Sequence, residues 1–244
     1  MRSVLILAVL LLPLPSMAAG LHFASGDRQT VMIELYTSEG CSSCPPAEAY
    51  LNDYRNNPDL WKRYVPLAFH VDYWDDLGWK DRFSRREYSE RQRRYAAVQH
   101  MHTVFTPAFF ANGRLWRPDS GGKPAASTRA VGNLAVMLDG NNVTATFEPE
   151  GSNPGPLALH LAVLGMNLST RIRAGENAGR RLDHEFVVLA QNRVAGERYR
   201  WHGVLPQVDA TAAPRYAFVA WLSRSDDPAP LQAVGGYLPS PPRF

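Results

Sequence analysis

Cysteine is almost missing from this chain: its 244 residues hold two, Cys41 and Cys44, three positions apart. That excludes a fold stapled between distant segments by disulfides, the common device of small secreted domains. An excess of charge of one sign is missing too. Lys and Arg number 26 against 23 Asp and Glu, and the formal net charge is +3. No basic stripe with interleaved aromatics stands out, so nucleic acid is not an expected partner. Internal repeats are absent, and beyond the first residues no run approaches the roughly 20 apolar residues of a membrane span. The second half lacks a recognisable nucleophile, clustered carboxylates and a phosphate-binding loop. An apolar share of 45% and a charged share of 20% are ordinary for a globular chain.

What is present begins with a targeting pattern. Arg2 precedes an apolar run over 4–14, and Ser16-Met17-Ala18 and Met17-Ala18-Ala19 offer small residues where a signal peptidase reads. Residues 1–19 are therefore expected to be a signal peptide. The alternative is an uncleaved anchor, which Pro13 and Pro15 interrupt early. The expected destination is periplasmic or secreted, with no membrane span after cleavage.

Downstream, 20–30 reads as a polar lead-in, 31–36 as a strand, 47–57 as a helix and 64–71 as a strand apolar enough to be buried on both faces. An aromatic loop with Tyr73, Trp74 and Trp79 leads to a charged helix over 82–99. A strand over 104–111 contains Pro107. Asn112-Gly113 is a two-residue hairpin signal with 114–117 returning, and 124–134 is expected as a final helix. Past Gly140 the pattern becomes short strands separated by turn residues: 143–148, 157–164, 184–190, 199–204, 216–222 and 231–237. That pattern suggests a β-sandwich. The expected division is 20–138 as an α/β domain and 139–244 as an all-β, sandwich-like domain.

The cysteines lie in Gly40-Cys41-Ser42-Ser43-Cys44-Pro45, between a strand and a helix. That context favours a redox motif. A helix N-terminus presents partial positive charge and favours a thiolate, the species that attacks disulfides. Cys41 is expected to be exposed and nucleophilic, and Cys44 to resolve the mixed disulfide. A structural staple is the first alternative, although closing so short a loop contributes only about 2 kcal/mol. A metal site is the second, although two cysteines supply half of a tetrahedral zinc shell. Glu34 is a carboxylate in an otherwise apolar strand. It is either buried, with a raised pKa and a role in moving a proton from Cys44, or turned to water at a sheet edge. Pro107 either forms a cis Thr106-Pro107 bond beside the cysteines or marks an edge-strand bulge.

This order of elements resembles the thioredoxin family, in which an acidic residue precedes the cysteines and a cis-proline faces them; Glu34 and Pro107 stand at the matching positions. The chain resembles more closely a family of bacterial exported proteins of unknown function with a thioredoxin-like domain. The resemblance rests on Glu34-Leu35-Tyr36-Thr37-Ser38-Glu39-Gly40-Cys41-Ser42-Ser43-Cys44-Pro45-Pro46-Ala47, on His70-Val71-Asp72-Tyr73-Trp74-Asp75, on Leu77-Gly78-Trp79-Lys80-Asp81, on Phe105-Thr106-Pro107 and Asn112-Gly113, and on Gly175-Glu176-Asn177-Ala178-Gly179-Arg180. It implies an α/β thioredoxin-like domain followed by an all-β sandwich-like domain.

The expected activity is thiol–disulfide exchange with protein thiols or disulfides of the cell envelope, carried by Cys41, Cys44, Pro107 and Glu34 and needing no cofactor. The alternative is a non-catalytic binding protein, or a copper-binding or assembly factor, in which His100 and His102 join the cysteines as soft-metal ligands. His70 is read as a core histidine, with a proton shuttle or metal ligand as the sharper alternative. The arginines of the 82–99 helix are read as a solvated face.

Overall fold

The structure, a computed structural model, describes residues 20–118, 122–239 and 241. The expected signal peptide over 1–19 lies outside the described residues.

The first half of the chain forms β1 (Leu21–Ala24), β2 (Val31–Thr37), α1 (Pro45–Asn52), β3 (Tyr64–His70), α2 (Arg86–Val98), β4 (Ala108–Ala111) and β5 (Arg114–Trp116). The second half forms β6 (Gly132–Asp139), β7 (Asn142–Pro149), β8 (Leu157–Met166), β9 (Leu168–Arg171), β10 (Arg181–His184), β11 (Val187–Val194), β12 (Gly196–Glu197), β13 (Arg200–Val204), β14 (Arg215–Arg224) and β15 (Pro230–Tyr237).

These strands make an eight-stranded sheet in the order β15-β14-β8-β11-β3-β2-β4-β5, a five-stranded sheet β1-β6-β7-β13-β12 and the two-stranded hairpin β10-β9. The large sheet is mixed. β2 and β3 run parallel, and β4 and β5 turn back antiparallel. The seam is β11, antiparallel to β8 along its length and parallel to β3 at Val187 and Ala68, where the Ala68 N–H donates to the Phe186 carbonyl.

This architecture corrects the expected α/β thioredoxin-like domain followed by an all-β sandwich-like domain. The molecule is mainly β, with two α-helices among the described residues. Strands from both sides of residue 138 share one sheet, and β1 pairs with β6. The reason lies in the strands themselves. β14 is buried from Tyr216 to Ser223, and β8 is buried on both faces over most of its length. A strand apolar on both faces needs cover on both, so it belongs in the middle of a layered structure rather than on one half of a two-sheet sandwich. The final helix expected over 124–134 is also corrected: Leu134, Val136 and Leu138 alternate with more exposed neighbours and point inward from β6. That is the two-residue period of a strand.

The even residues of β2 face α2 and the odd ones face α1: Glu34 meets Arg91, and Thr37 meets Glu48. On the same face of the large sheet as α1 and opposite α2, β8 and β14 pack Leu159, Leu161, Val163, Phe218, Ala220 and Leu222 against Leu134, Val136, Leu138 and Phe147 of the small sheet. The Asn112-Gly113 turn joins β4 to β5, with φ of 45° and 79° as a type I′ turn requires.

Candidate functional site

β2 and β3 end side by side, with Thr37 in register with His70. β4 starts at the same edge, because Ala108 pairs with Tyr36. Pro107 therefore sits where the cysteine loop leaves β2. It precedes β4 rather than lying inside a strand, so no ladder hydrogen bond is lost to its missing N–H. The Thr106-Pro107 peptide is cis. Trp74 joins this segment to the cysteine loop: its indole N–H donates to Thr106 Oγ1 at 2.7 Å, and its backbone and Cβ lie against Gly40.

Cys41 and Cys44 form a disulfide, and Cys44 is the N-cap of α1. The placement agrees with the sequence reading, but the surroundings differ in two respects. The first concerns donors. Pro45 and Pro46 occupy the first helical positions and carry no N–H, while the Ala47 and Glu48 N–H groups donate to the Cys44 carbonyl. The helix therefore offers the sulfurs its dipole but not these backbone donors. The Ser43 hydroxyl oxygen lies 3.4 Å from Cys41 Sγ.

The second concerns exposure. Cys41, expected at the surface, is only 1% exposed, and Cys44 is 0%. The cover comes from the loop between β9 and β10. Asn177 Nδ2 donates to the carbonyls of Glu39 (2.9 Å) and Cys41 (3.0 Å), and the Glu176 carboxylate accepts from the Ser42 N–H at 3.1 Å. Those bonds from the hydroxyl and backbone of Ser42 hold the exposed Glu176 carboxyl below its ordinary pKa. Gly78 and Gly175, both at positive φ, let the two loops touch, since a Cβ on Gly78 would lie 3.3 Å from Gly175 Cα. Over residues 173–180 only Asn177 is buried.

Glu34 does not reach the role expected of it. It is fully buried, but Arg91 Nε and Nη2 donate to its two oxygens at 2.7 and 3.0 Å, and the hydroxyls of Tyr95 and Tyr36 donate at 2.5 and 3.0 Å. A carboxylate has about four lone-pair directions. All are taken, and none is free to receive a proton from Cys44. Burial, with the Glu34 charge beside them, pushes the Tyr36 and Tyr95 phenols well above their usual pKa. Arg91 is thus a core residue rather than part of a solvated face, while Arg86 lies on the exposed face and pairs with Glu90 at 3.0 Å.

The aromatic loop packs onto its own chain through Tyr73 to Gln92, Trp74 to Thr106 and Trp79 to Glu39. His100 and His102 lie exposed on a loop. A cleft of about 530 Å³ is lined by Glu90, Arg94, His160 and Arg224 among others, and none of its lining residues belongs to the cysteine loop.

Sequence reading missed a buried polar cluster next to the cysteines. Glu39 (two residues before Cys41), Glu48 on α1, His70 at the end of β3, Asp81 and His184 at the end of β10 are all at most 5% exposed. His70 Nδ1 lies 2.6 Å from Asp81 Oδ2, which also accepts the Glu39 N–H at 2.8 Å. His184 Nδ1 bonds Glu48 Oε2, and His184 Nε2 lies 3.2 Å from Glu39 Oε1. The hydroxyl of Thr37 donates to Glu48 Oε1 at 2.6 Å. Burial alone would favour the neutral imidazoles. Glu48 and Glu39 outweigh it at His184 and raise its pKa to about 10, and Asp81 outweighs it and raises His70. Burial would likewise raise the carboxyls, but His184 and His70 hold Glu48 and Asp81 below their ordinary values. Glu39, His70 and Asp81 sit inside the quoted motifs, and Glu48 directly follows the first of them. His184 is 136 positions from Glu48, and no local spacing joins them.

The same fold occurs in solved structures. A crystal structure of a protein from Agrobacterium tumefaciens matches with a TM-score of 0.61 at 22% identity, covering 84% of this chain and 92% of that one. HBP35 of Porphyromonas gingivalis matches with a TM-score of 0.55 at 16% identity, covering 88% of this chain and 76% of the other. No curated relative matches the chain. A family profile described as "Protein of unknown function (DUF1223)" matches residues 32–223, which include the disulfide, the covering loop and the buried cluster. With well over half of its length matched, the chain belongs to the DUF1223 family.

Proposed function

We propose that this protein is an exported thiol–disulfide exchange protein that works through Cys41 and Cys44 on protein thiols or disulfides of the cell envelope. One observation carries the reading: the pair forms a disulfide at the start of α1, and the 173–180 loop that bonds the cysteine segment buries one side chain, Asn177. A loop held by a few hydrogen bonds opens at far lower cost than the fold itself.

With the loop lifted, a partner thiolate attacks Cys41 Sγ, the S–S bond breaks, and its electron pair leaves on Cys44 Sγ. A second partner thiolate then attacks the partner sulfur of this mixed disulfide and releases the Cys41 thiolate. The partner loses two electrons to the pair, and two protons restore the thiols. The dipole of α1 favours both departing thiolates, and the Ser43 hydroxyl is within reach of Cys41 Sγ. The signal-peptide pattern at 1–19 and the persistence of disulfides in oxidising compartments support export.

Equilibration of the native protein in glutathione buffers, followed by thiol trapping and mass measurement, tests the proposal. The pair should titrate reversibly without unfolding, and Cys44→Ser should accumulate mixed disulfides on Cys41. A second reading, a buried clasp within a binding protein, is favoured by the 1% and 0% exposure of the two cysteines. It requires that the pair react only after denaturation, and that result would overturn the exchange reading.

A further inference from the structure

The buried cluster holds more polar capacity than its hydrogen bonds use. Among the described residues, His184 Nε2 and Glu39 Oε1 face only each other at 3.2 Å, and His70 Nε2 is buried with no hydrogen-bond partner at all. Such atoms are rare in native proteins and point to an absent ion or water. One ligand atom each from Glu48, His70 and His184 lies within 4.8 Å of the other two. We propose that Glu48, His70 and His184 form a binding site for one divalent transition-metal ion of the zinc class.

The arrangement behind these three residues is the argument. An imidazole that binds a metal through one nitrogen usually donates its other N–H to a carboxylate, which fixes the ring and the tautomer. His70 does this with Nδ1 on Asp81, leaving the lone pair of Nε2 for the ion. His184 does it in the opposite sense, with Nε2 facing Glu39 and Nδ1 facing Glu48. In the metal-free chain His184 Nδ1 and Glu48 Oε2 bond each other directly, and the ion replaces the proton between them as the two side chains draw apart. Thr37 holds the other oxygen of Glu48, and the Trp79 indole holds the other oxygen of Glu39 at 2.8 Å. Each proposed ligand thus has an orienting partner of its own.

The donor set decides the class of ion. Two imidazoles and a carboxylate suit zinc, cobalt, nickel or iron; calcium and magnesium prefer all-oxygen shells. Charge agrees as well. Three buried carboxylates, Glu39, Glu48 and Asp81, surround two imidazoles; with both rings protonated the sum is −1, and a dication that displaces one proton from each ring leaves it at −1, so the exchange buries no additional charge. The ligands come from α1, the end of β3 and the end of β10, so the ion would fasten the β9–β10 hairpin to the segment that carries the cysteines. This site is distinct from the copper alternative built on the cysteines with His100 and His102, because it uses no sulfur.

The full-length protein, with its disulfide intact, is refolded with and without Zn(II), desalted and analysed for metal. One zinc per chain should remain. Asp81→Asn, which keeps all three ligands, should weaken retention about 10- to 100-fold, and His70→Ala should abolish it. Cobalt-loaded protein should show visible d–d bands without thiolate charge transfer. If a variant fails to fold, the wild type still decides: nitrogen NMR shifts of His70 Nε2 and His184 Nδ1 should move on zinc loading. No retained metal, retention unchanged in His70→Ala, a thiolate charge-transfer band, or unmoved imidazole shifts would each overturn the proposal.

Discussion

Two cores share the eight-stranded sheet, and they are built of different material. Between β8, β14 and the small sheet the interior is aliphatic and aromatic, from Leu134 and Phe147 to Leu161 and Phe218. At the other end of the sheet, between α1 on one face and α2 on the other, the interior around β2 and β3 carries Glu34 with Arg91, His70 with Asp81, and His184 with Glu48 and Glu39, all buried. Burying charge is costly and does not stabilise a fold better than apolar packing does. A chain able to fill one core with hydrocarbon had the means to fill both. The polar core adjoins the disulfide, and the apolar one serves as its platform.

The comparison can be broken most forcefully at Arg91. Arg91→Ala leaves Glu34 buried without its cation and should cost about 3–5 kcal/mol in denaturant unfolding. Replacing both partners with methionine should recover much of that loss. If the single and double variants are equally unstable, the loss comes from the surrounding Tyr36 and Tyr95 hydrogen bonds rather than from the unpaired charge.

On the apolar side, Leu161→Ala should cost about 2–5 kcal/mol through the cavity it leaves. Thiol trapping of the folded variant should show an unchanged rate of disulfide reduction. A changed rate would mean that the platform and the cysteine site are mechanically coupled.

Asn177→Ala removes two hydrogen bonds from the cover of the disulfide, about 1 kcal/mol of local closure. Reduction by a small thiol should then accelerate roughly fivefold, with little change in global stability. A rate equal to wild type would show that the loop does not limit access.

An effect that grows only as pH falls concerns His160, which stacks on Trp221 at 4.9 Å and shares a 2.9 Å hydrogen bond with Ser223. Burial first, then Arg91, Arg193 and Arg94, press its pKa down to about 3. The unfolded chain takes up this proton below about pH 6.5 while the folded one refuses it. The stability associated with the neutral ring is whole above that pH and declines as pH falls towards 3, by up to about 1 kcal/mol per unit. His160→Gln should flatten that slope in stability curves measured between pH 7 and 4.

Much of the candidate site could be read from local signals. A strand, a cysteine pair, two prolines and a helix in succession placed the disulfide at the start of α1, because each signal acts within a few residues. Asn112-Gly113 announced its hairpin for the same reason, since few other residues tolerate two consecutive positive φ angles. Glu34 was recognised as an oddity in an apolar strand, but its partner Arg91 looked like one more surface arginine of an amphipathic helix. Only the docking of α2 on the even face of β2 showed that the two charges answer each other.

By itself the sequence determined where chemistry concentrates, the approximate extent of most strands, and which residues pair across short turns, because these follow from period, propensity and turn geometry. Tertiary structure alone decided that β8, β11, β14 and β15 extend the sheet of the first half, that Asn177 covers Cys41, and that His184 joins Glu48 and His70. Pairings between strands and contacts across more than a hundred residues depend on which buried faces find cover in three dimensions, and no interval along the chain encodes that choice.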